Sequence, residues 1–182
     1  MFDCNNRREF LKSTAVGVTI AAGLARRQTR GASPAGERLV VGLIGCGGRG
    51  VHDAGLFQKT PGIELAYVCD VDEERRQAAA ETLGVDAKRA VSDMRQILDD
   101  KAVDAVIVAT PDHWHSPASI LACDAGKHVY VEKPISHNIR ESRLLVDAAA
   151  RNKTLVQHGT QSRSTKMMIE AVKLLESGLI GE

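Results

Sequence analysis

Residues 39–44 read Leu-Val-Val-Gly-Leu-Ile and run directly into Gly45-Cys46-Gly47-Gly48-Arg49-Gly50. A second apolar run, residues 63–69, ends at Asp70, which lies 20 residues after the last glycine of the loop. A strand, a G-x-G-x-x-G turn, a helix and an acid at this distance make up the fingerprint of a dinucleotide-binding domain. The alternative is a purely structural glycine turn, and the agreement of all four parts argues against it.

Each glycine of the loop has a mechanical role in this fingerprint. Gly45 allows the tight turn, Gly47 lets the backbone approach a pyrophosphate, and Gly50 lets the next helix pack closely on the sheet. Gly48 and Arg49 share the helix N-terminus, whose unpaired N–H groups favour phosphate. We therefore predict that residues 45, 47, 48, 49 and 50 contact the cofactor.

Asp70 indicates which cofactor is used. A carboxylate at this position accepts hydrogen bonds from the adenosine ribose hydroxyls and repels a 2′-phosphate. The sequence therefore favours NAD over NADP, although Arg75 and Arg76 lie close enough to soften the preference.

Length, charge and cysteine spacing limit the number of domains and the kinds of partner. The 182 residues suffice for one domain and a tail, and the net charge of +1 does not favour nucleic acid or an anionic membrane surface as a partner. The four cysteines have neither metal-ligand nor disulfide spacing. No metal site is predicted.

Residues 1–36 are interpreted as a targeting segment and linker outside the fold. Arg7 and Arg8 precede Phe10-Leu11-Lys12, and an uncharged, weakly apolar run follows from Ser13 to Ala25. This run is about half the length of a membrane span, and the paired arginines resemble a twin-arginine export signal. We expect export to the periplasm without a stable membrane span. The alternative is a basic tail on a cytoplasmic protein.

The rest of the chain alternates strands and helices with short connections. This pattern predicts an α/β fold with a doubly wound parallel sheet of the Rossmann type over residues 37–164. Strands are predicted at 39–44, 63–69, 88–91, 103–109, 128–131 and 154–157, and helices at 51–59, 72–83, 94–99, 116–125, 139–152 and 165–177.

Polar residues follow the last three strands. The stretches are Thr110-Pro111-Asp112-His113-Trp114-His115, Glu132-Lys133-Pro134 and His158-Gly159-Thr160-Gln161-Ser162-Arg163. Because ligands bind at the carboxyl ends of parallel strands, we expect these residues to gather on one edge of the sheet.

With these elements in place, the chain from about residue 39 onward resembles the Gfo/Idh/MocA family of glucose–fructose oxidoreductases and inositol dehydrogenases. The matching pieces are the glycine loop, Ala109-Thr110-Pro111 with His115 downstream, and above all Glu132-Lys133-Pro134. Twin-arginine signals also occur in exported branches of this family.

The resemblance implies roles for the residues on this edge. Thr110, Pro111 and His115 would lie on the nicotinamide side of the cofactor, and Glu132 near the nicotinamide ribose. Lys133 would also contact the cofactor and point at the reacting carbon, stabilising an alkoxide or relaying its proton.

Four further expectations concern Pro134, Arg163, Lys133 and the histidines at 113 and 115. Pro134 would follow a cis bond, as it often does in the family. Arg163 would meet either the substrate or only solvent. Lys133 could be a solvated lysine in a turn, and a metal pair of His113 and His115 is disfavoured because no third ligand is evident.

The resemblance also implies a function, and a second domain of which this chain would carry only the start. It implies an exported NAD-dependent oxidoreductase acting on a sugar, cyclitol or related polyol. An NAD-dependent glycosidase and a non-catalytic nucleotide-binding module are the alternatives. Family members carry a second domain that completes the substrate pocket, and residues 165–182 would be only its start. We therefore expect these 182 residues to be inactive alone and homo-oligomers to form only in a longer form.

Overall fold

A sheet of six parallel strands organises the part of the chain that the computed structural model describes, residues 38–178. The strands are β1 (Leu39–Ile44), β2 (Ile63–Cys69), β3 (Ala90–Val91), β4 (Ala105–Val108), β5 (His128–Glu132) and β6 (Val156–Gly159). Their order is β3-β2-β1-β4-β5-β6, and every neighbouring pair is parallel. The order reverses between β1 and β4, where such sheets open a crevice for a ligand.

Within residues 38–178, six α-helices connect the strands or follow the last of them. They are α1 (Gly48–Gln58), α2 (Glu73–Leu83), α3 (Arg95–Asp99), α4 (His115–Asp124), α5 (Ile139–Asn152) and α6 (Lys166–Glu176), with 3₁₀ turns at Ala87–Arg89, Asp112–Trp114 and Gln161–Ser164. The predicted doubly wound parallel sheet is confirmed.

The two faces of the sheet bury separate apolar clusters. On one face Leu43 and Ile107 pack in the cluster that contains Ala54 of α1. On the other face Val106 packs in the cluster that contains Leu145 of α5. Because the central strands are covered on both sides, their residues are apolar without alternation.

Local hydrogen bonds explain how well two of the helices were predicted. Helix α5 has the predicted bounds, because Asn138 caps its first turn by accepting from the Glu141 N–H at 3.0 Å. Helix α1 begins three residues earlier than predicted, since the Val51 N–H already donates to Gly47 at 3.0 Å. The glycine loop therefore includes the first turn of the helix.

Three predicted strands were partly wrong, and β4 begins at Ala105, two residues later than predicted. Lys88 and Arg89 belong to a 3₁₀ turn, because the Asp86 carboxylate accepts from the Lys88 N–H at 2.8 Å, and β3 keeps only two residues. Thr154 closes the end of α5 through a 3.1 Å bond to Ala149, so β6 begins at residue 156 and extends to Gly159.

The predicted targeting segment, residues 1–36, lies outside the described residues. Within residues 38–178, none of the helices has the length and apolar character needed to cross a bilayer. The predicted domain boundary between residues 164 and 165 stays a prediction.

Candidate functional site

The glycine loop is packed so tightly that two of its positions exclude any side chain. Gly45 has a φ of 98°, and a Cβ there would lie 2.6 Å from the carbonyl oxygen of Ala109. A Cβ on Gly50 would lie 2.0 Å from the carbonyl oxygen of Gly45. The two glycines thus let the start of α1 pack against the ends of β1 and β4.

The opposite side of the loop is open. A Cβ on Gly47 or Gly48 would meet no atom of residues 38–178 within 4 Å. Gly47 is the N-cap of α1, so no side chain caps the helix, and its first turn holds no acidic residue. The N–H groups of this turn are therefore available to an anion, which is the arrangement that binds a dinucleotide pyrophosphate.

Asp70 lies beside this opening and is tied to the loop. Its Oδ2 accepts from the Cys46 N–H at 2.7 Å, and its Oδ1 accepts from the Asp72 N–H at 3.0 Å. Arg76 donates to the Asp70 carbonyl oxygen at 2.9 Å. Each carboxylate oxygen keeps a lone pair for another donor, so Asp70 can hold the loop and accept from a ribose hydroxyl at the same time.

The thiols of Cys46 and Cys69 flank this carboxylate and are neutral. Burial first, and then the negative charge of Asp70, raise the pKa of each thiol to about 12. Neither cysteine adds a negative charge to the place where we expect a phosphate.

Thr110, Pro111 and His115 follow β4 on the same edge. The Thr110 hydroxyl oxygen is buried and has no hydrogen-bond partner among the described residues. His115 is buried, and its ring nitrogens lie 2.8 Å from the Thr110 carbonyl oxygen and 2.5 Å from that of Pro134. His115 therefore connects the ends of β4 and β5, and its contact with a cofactor stays a prediction.

Glu132 ends β5 at the centre of a buried polar cluster. Its Oε1 accepts from Arg49 Nε at 3.0 Å and Nη2 at 2.9 Å and also contacts the amide of Gln161, while its Oε2 accepts from the Lys133 N–H at 3.0 Å. Burial alone would raise the pKa of Glu132. The hydrogen bonds from Lys133 and Arg49 outweigh burial and hold that pKa below its usual value. The guanidinium of Arg49 thus binds a carboxylate of the protein within the site.

Asp53 is a site residue that sequence reasoning missed. It lies on α1, one turn after Arg49, and its Oδ1 lies 3.0 Å from Arg49 Nη2. Burial raises its pKa to about 6, against the opposing charge of Arg49. The available signal was an acid four residues after an arginine, next to Ala54 on the buried face of the helix.

Lys133 and Arg163, the residues predicted to face the substrate, are both exposed at this edge. The Lys133–Pro134 peptide bond is cis, as the resemblance implied. Trp114 is half-exposed at the end of the turn that follows β4. Across residues 38–178 no three His, Cys, Asp or Glu side chains come together as a metal site requires.

Comparison with known proteins agrees with this geometry. Residues 39–160 match the sequence profile of the family described as "Oxidoreductase family, NAD-binding Rossmann fold". The chain belongs to the Gfo/Idh/MocA family. It carries that family's NAD-binding domain, and the glycine loop, Asp70 and the open helix N-terminus fit NAD.

Relatives with different activities resemble this domain. A protein of Shewanella sp. (strain ANA-3) named glycosyl hydrolase family 109 protein 2 is 32% identical over 97% of this chain and 44% of its own. Inositol 2-dehydrogenase of Salmonella typhimurium is 30% identical over 79% of this chain and 43% of its own.

A solved structure is similar as well. The WlbA dehydrogenase of Bordetella pertussis, determined with NADH and UDP-GlcNAcA, superposes with a TM-score of 0.72 at 28% identity. That match covers 78% of this chain and 43% of WlbA. This chain therefore spans less than half the length of the relatives it matches.

Proposed function

We propose that this domain serves an oxidoreductase that transfers hydride between NAD and a secondary alcohol carbon of a sugar, cyclitol or related polyol. One observation carries the proposal: the open glycine loop, Asp70 and the exposed Lys133 lie on the same edge of the sheet. The similarity to an inositol 2-dehydrogenase supports it.

Lys133 is the residue that we assign to the proton. Its side chain is exposed, and among residues 38–178 no side chain pairs with its ammonium group. When NAD is bound, the nicotinamide supplies the hydride acceptor. The amine of Lys133 takes the hydroxyl proton as an alcohol is oxidised, and the ammonium returns it in the reverse direction.

The preference for NAD over NADP is assigned to Asp70. A 2′-phosphate would be placed against this carboxylate. The arginines that follow are engaged elsewhere, since Arg76 donates to the Asp70 carbonyl oxygen and Arg75 lies 3.7 Å from the Asp72 carboxylate. Neither is held as a dedicated phosphate ligand.

An NAD-dependent glycosidase is the second candidate. The observation in its favour is coverage, because the family 109 relative aligns over 97% of this chain and the inositol dehydrogenase over 79%. In such an enzyme the same lysine would assist a transient oxidation of the sugar, and no NADH would accumulate.

Export through the twin-arginine route belongs to the proposal too. Arg7 and Arg8 support it, and the alignment with the family 109 relative covers enough of the chain to include most of residues 1–36. Homo-oligomers are proposed only for a form that also carries a substrate domain.

Cofactor binding is tested first, by titrating the chain with NADH and NADPH while following Trp114 emission. We expect saturable quenching by NADH, weaker quenching by NADPH, and weaker NADH binding in Asp70→Ala. Lys133→Ala should bind NADH nearly as well as the native chain. Absence of quenching in a chain shown to be folded by circular dichroism would contradict the proposal.

The reaction is tested in a form of the protein with a complete substrate pocket. NAD is supplied with inositol or other polyols, and separately with a chromogenic N-acetylgalactosaminide. Growth of NADH absorbance supports the dehydrogenase, whereas chromophore release without NADH supports the glycosidase. Turnover that survives Lys133→Ala would remove this lysine from the mechanism, and NADH binding without any turnover would favour a non-catalytic module.

A further inference from the structure

Two buried carboxyl groups share one guanidinium beneath the Lys133 turn. Arg49 Nη2 lies 3.0 Å from Asp53 Oδ1 and 2.9 Å from Glu132 Oε1. Asp53 is 3% exposed and Glu132 4% exposed. One arginine therefore serves two carboxyl groups that are both removed from water.

The second carboxyl oxygen of Asp53, Oδ2, is the atom that could carry a proton. Asp53 Oδ2 is buried, and no N–H or O–H group of the described residues donates to it. Arg49 Nη2 holds one oxygen of each carboxyl group, at 3.0 Å and 2.9 Å, and a hydrogen bond between the two acids would require a proton on one of them. A second buried negative charge beside one cation is costly, so the arrangement favours a neutral Asp53.

The charged and titratable groups around Asp53 come from two elements. Arg49 and His52 face it from α1, and Tyr130 and Glu132 face it from β5. The two basic groups favour an ionised Asp53, whereas Glu132 favours a protonated one. Burial acts in the same direction as Glu132 and raises the Asp53 pKa to about 6.

Space for this cluster is built into β6. A Cβ on Gly159 would lie 2.8 Å from the Tyr130 hydroxyl and 2.9 Å from Glu132 Oε1. Only glycine at this position leaves room for Tyr130, Gln161 and Glu132 to meet as they do. The cluster is thus specified by helix α1, strands β5 and β6 and the turn at Gln161, and is not an incidental surface contact.

Glu132 connects Arg49 to the turn that carries Lys133. One of its oxygens is held by Arg49, and the other accepts from the Lys133 N–H at 3.0 Å. We propose that Asp53 is a positioning residue, which as a neutral acid donates to Glu132 and so fixes the backbone of Lys133. When Asp53 ionises, repulsion between the two carboxylates loosens this turn, and NAD binds more weakly.

The inference rests on the proposed function only for its effect on NAD, so the first measurement omits the cofactor. The carboxyl carbon of Asp53 and the amide of Lys133 are followed by NMR in the labelled chain from pH 4.5 to 7.5. We expect both signals to change with one inflection near pH 6. A Lys133 amide that does not follow Asp53 overturns the proposal.

Two variants and a matched control sharpen this measurement. Asp53→Asn can still accept from Arg49 and donate to Glu132, so its Lys133 amide should stay at the acid-side position at every pH. Glu132→Gln removes the neighbouring charge and should move the Asp53 inflection to lower pH. Asp147→Asn alters an exposed ion pair with Arg143 and should titrate like the native chain. A Lys133 inflection that persists unchanged in Asp53→Asn contradicts the assignment.

The second measurement adds NAD at pH 5.5 and pH 7.5. One linked proton changes an equilibrium constant by at most about tenfold per pH unit, so we expect the native Kd to rise roughly three- to tenfold. In Asp53→Asn the Kd should stay nearly constant. If NAD fails to bind at either pH while Lys133 still follows Asp53, the proposed function fails and the positioning role stands. If NAD binds but the Lys133 amide does not follow the Asp53 titration, the proposed function stands and the positioning role fails.

Discussion

The glycine loop at residues 45–50 and the segment at residues 161–178 differ sharply in how closely the protein surrounds them. At Gly50 a single added carbon would lie 2.0 Å from a backbone oxygen. By contrast, every residue from 161 to 178 is exposed, and none of the apolar side chains of α6 is buried. The loop is specified by contacts within the domain. Among the described residues helix α6 is held by local bonds, with Thr165 as its N-cap.

The most disruptive test of this contrast is Gly50→Ala. The new Cβ cannot avoid the Gly45 carbonyl oxygen, so the loop and the start of α1 must shift. We expect a loss of about 3 kcal/mol or more in the free energy of unfolding, together with loss of NADH binding. Urea unfolding and Trp114 quenching measure the two effects.

Gly48→Ala is the matched control for this substitution. It places the same carbon in open space on the same turn, with a φ outside the left-handed region. Its free energy of unfolding should change by less than about 0.5 kcal/mol. Equal losses in the two variants would show that the loop is not held by the contact at Gly50.

The next largest effect concerns pH and Asp53. Its pKa is raised in the folded chain to about 6, so the folded state holds this proton longer than the unfolded state does. The stabilisation is complete below about pH 4 and is lost as the pH rises through about 6. Asp53→Asn should therefore be more stable than the native chain at pH 7, by about 1–3 kcal/mol.

The check is the difference in unfolding free energy between Asp53→Asn and the native chain at several pH values. Other carboxylates, such as Asp93 and Asp124, have pKa values lowered by their own partners. Their contributions to the pH dependence are the same in both chains and cancel in this difference. A difference that does not vary between pH 4 and pH 7 would refute the assignment.

A smaller effect is expected at Gly159, which lies between the two regions compared above. An added methyl group would displace the Tyr130 hydroxyl and the Glu132 carboxylate, and both are ends of flexible side chains. We expect Gly159→Ala to cost about 1–2 kcal/mol in thermal or urea unfolding. Gly55→Ala, whose Cβ meets Leu83 at 3.9 Å and no other described residue, should be neutral or stabilising.

The smallest effect is expected in α6. Leu175 is 50% exposed, so Leu175→Gln should change the free energy of unfolding by less than about 0.5 kcal/mol. Leu145→Ala in α5, where the side chain is 1% exposed, should cost about 2–4 kcal/mol. A large loss in Leu175→Gln would mean that α6 packs more closely than its exposure indicates.

Two aspartates show how far the sequence could predict the site. Asp70 was predicted because its distance from the glycine loop is fixed by one strand–helix–strand unit, which local patterns specify. Asp53 was not, because its role depends on Glu132, which is 79 residues further along the chain and approaches only when the sheet forms. The same difference between local and distant contacts explains which limits of helices and strands could be predicted. Helix α5 carries its own cap, whereas the limits of β3 and β6 depend on side-chain and helix-end bonds that strand propensity does not encode.

The hydrogen bond between the Cys46 N–H and Asp70 has a thermodynamic consequence for the cofactor. It orders the turn during folding, so the conformational entropy of that turn is lost before any nucleotide arrives. A ligand that meets a preorganised turn keeps more of its contact energy as affinity. The binding free energies of the pyrophosphate and adenosine parts of the cofactor should then not be additive. Removing this one carboxylate weakens recognition of both parts at once.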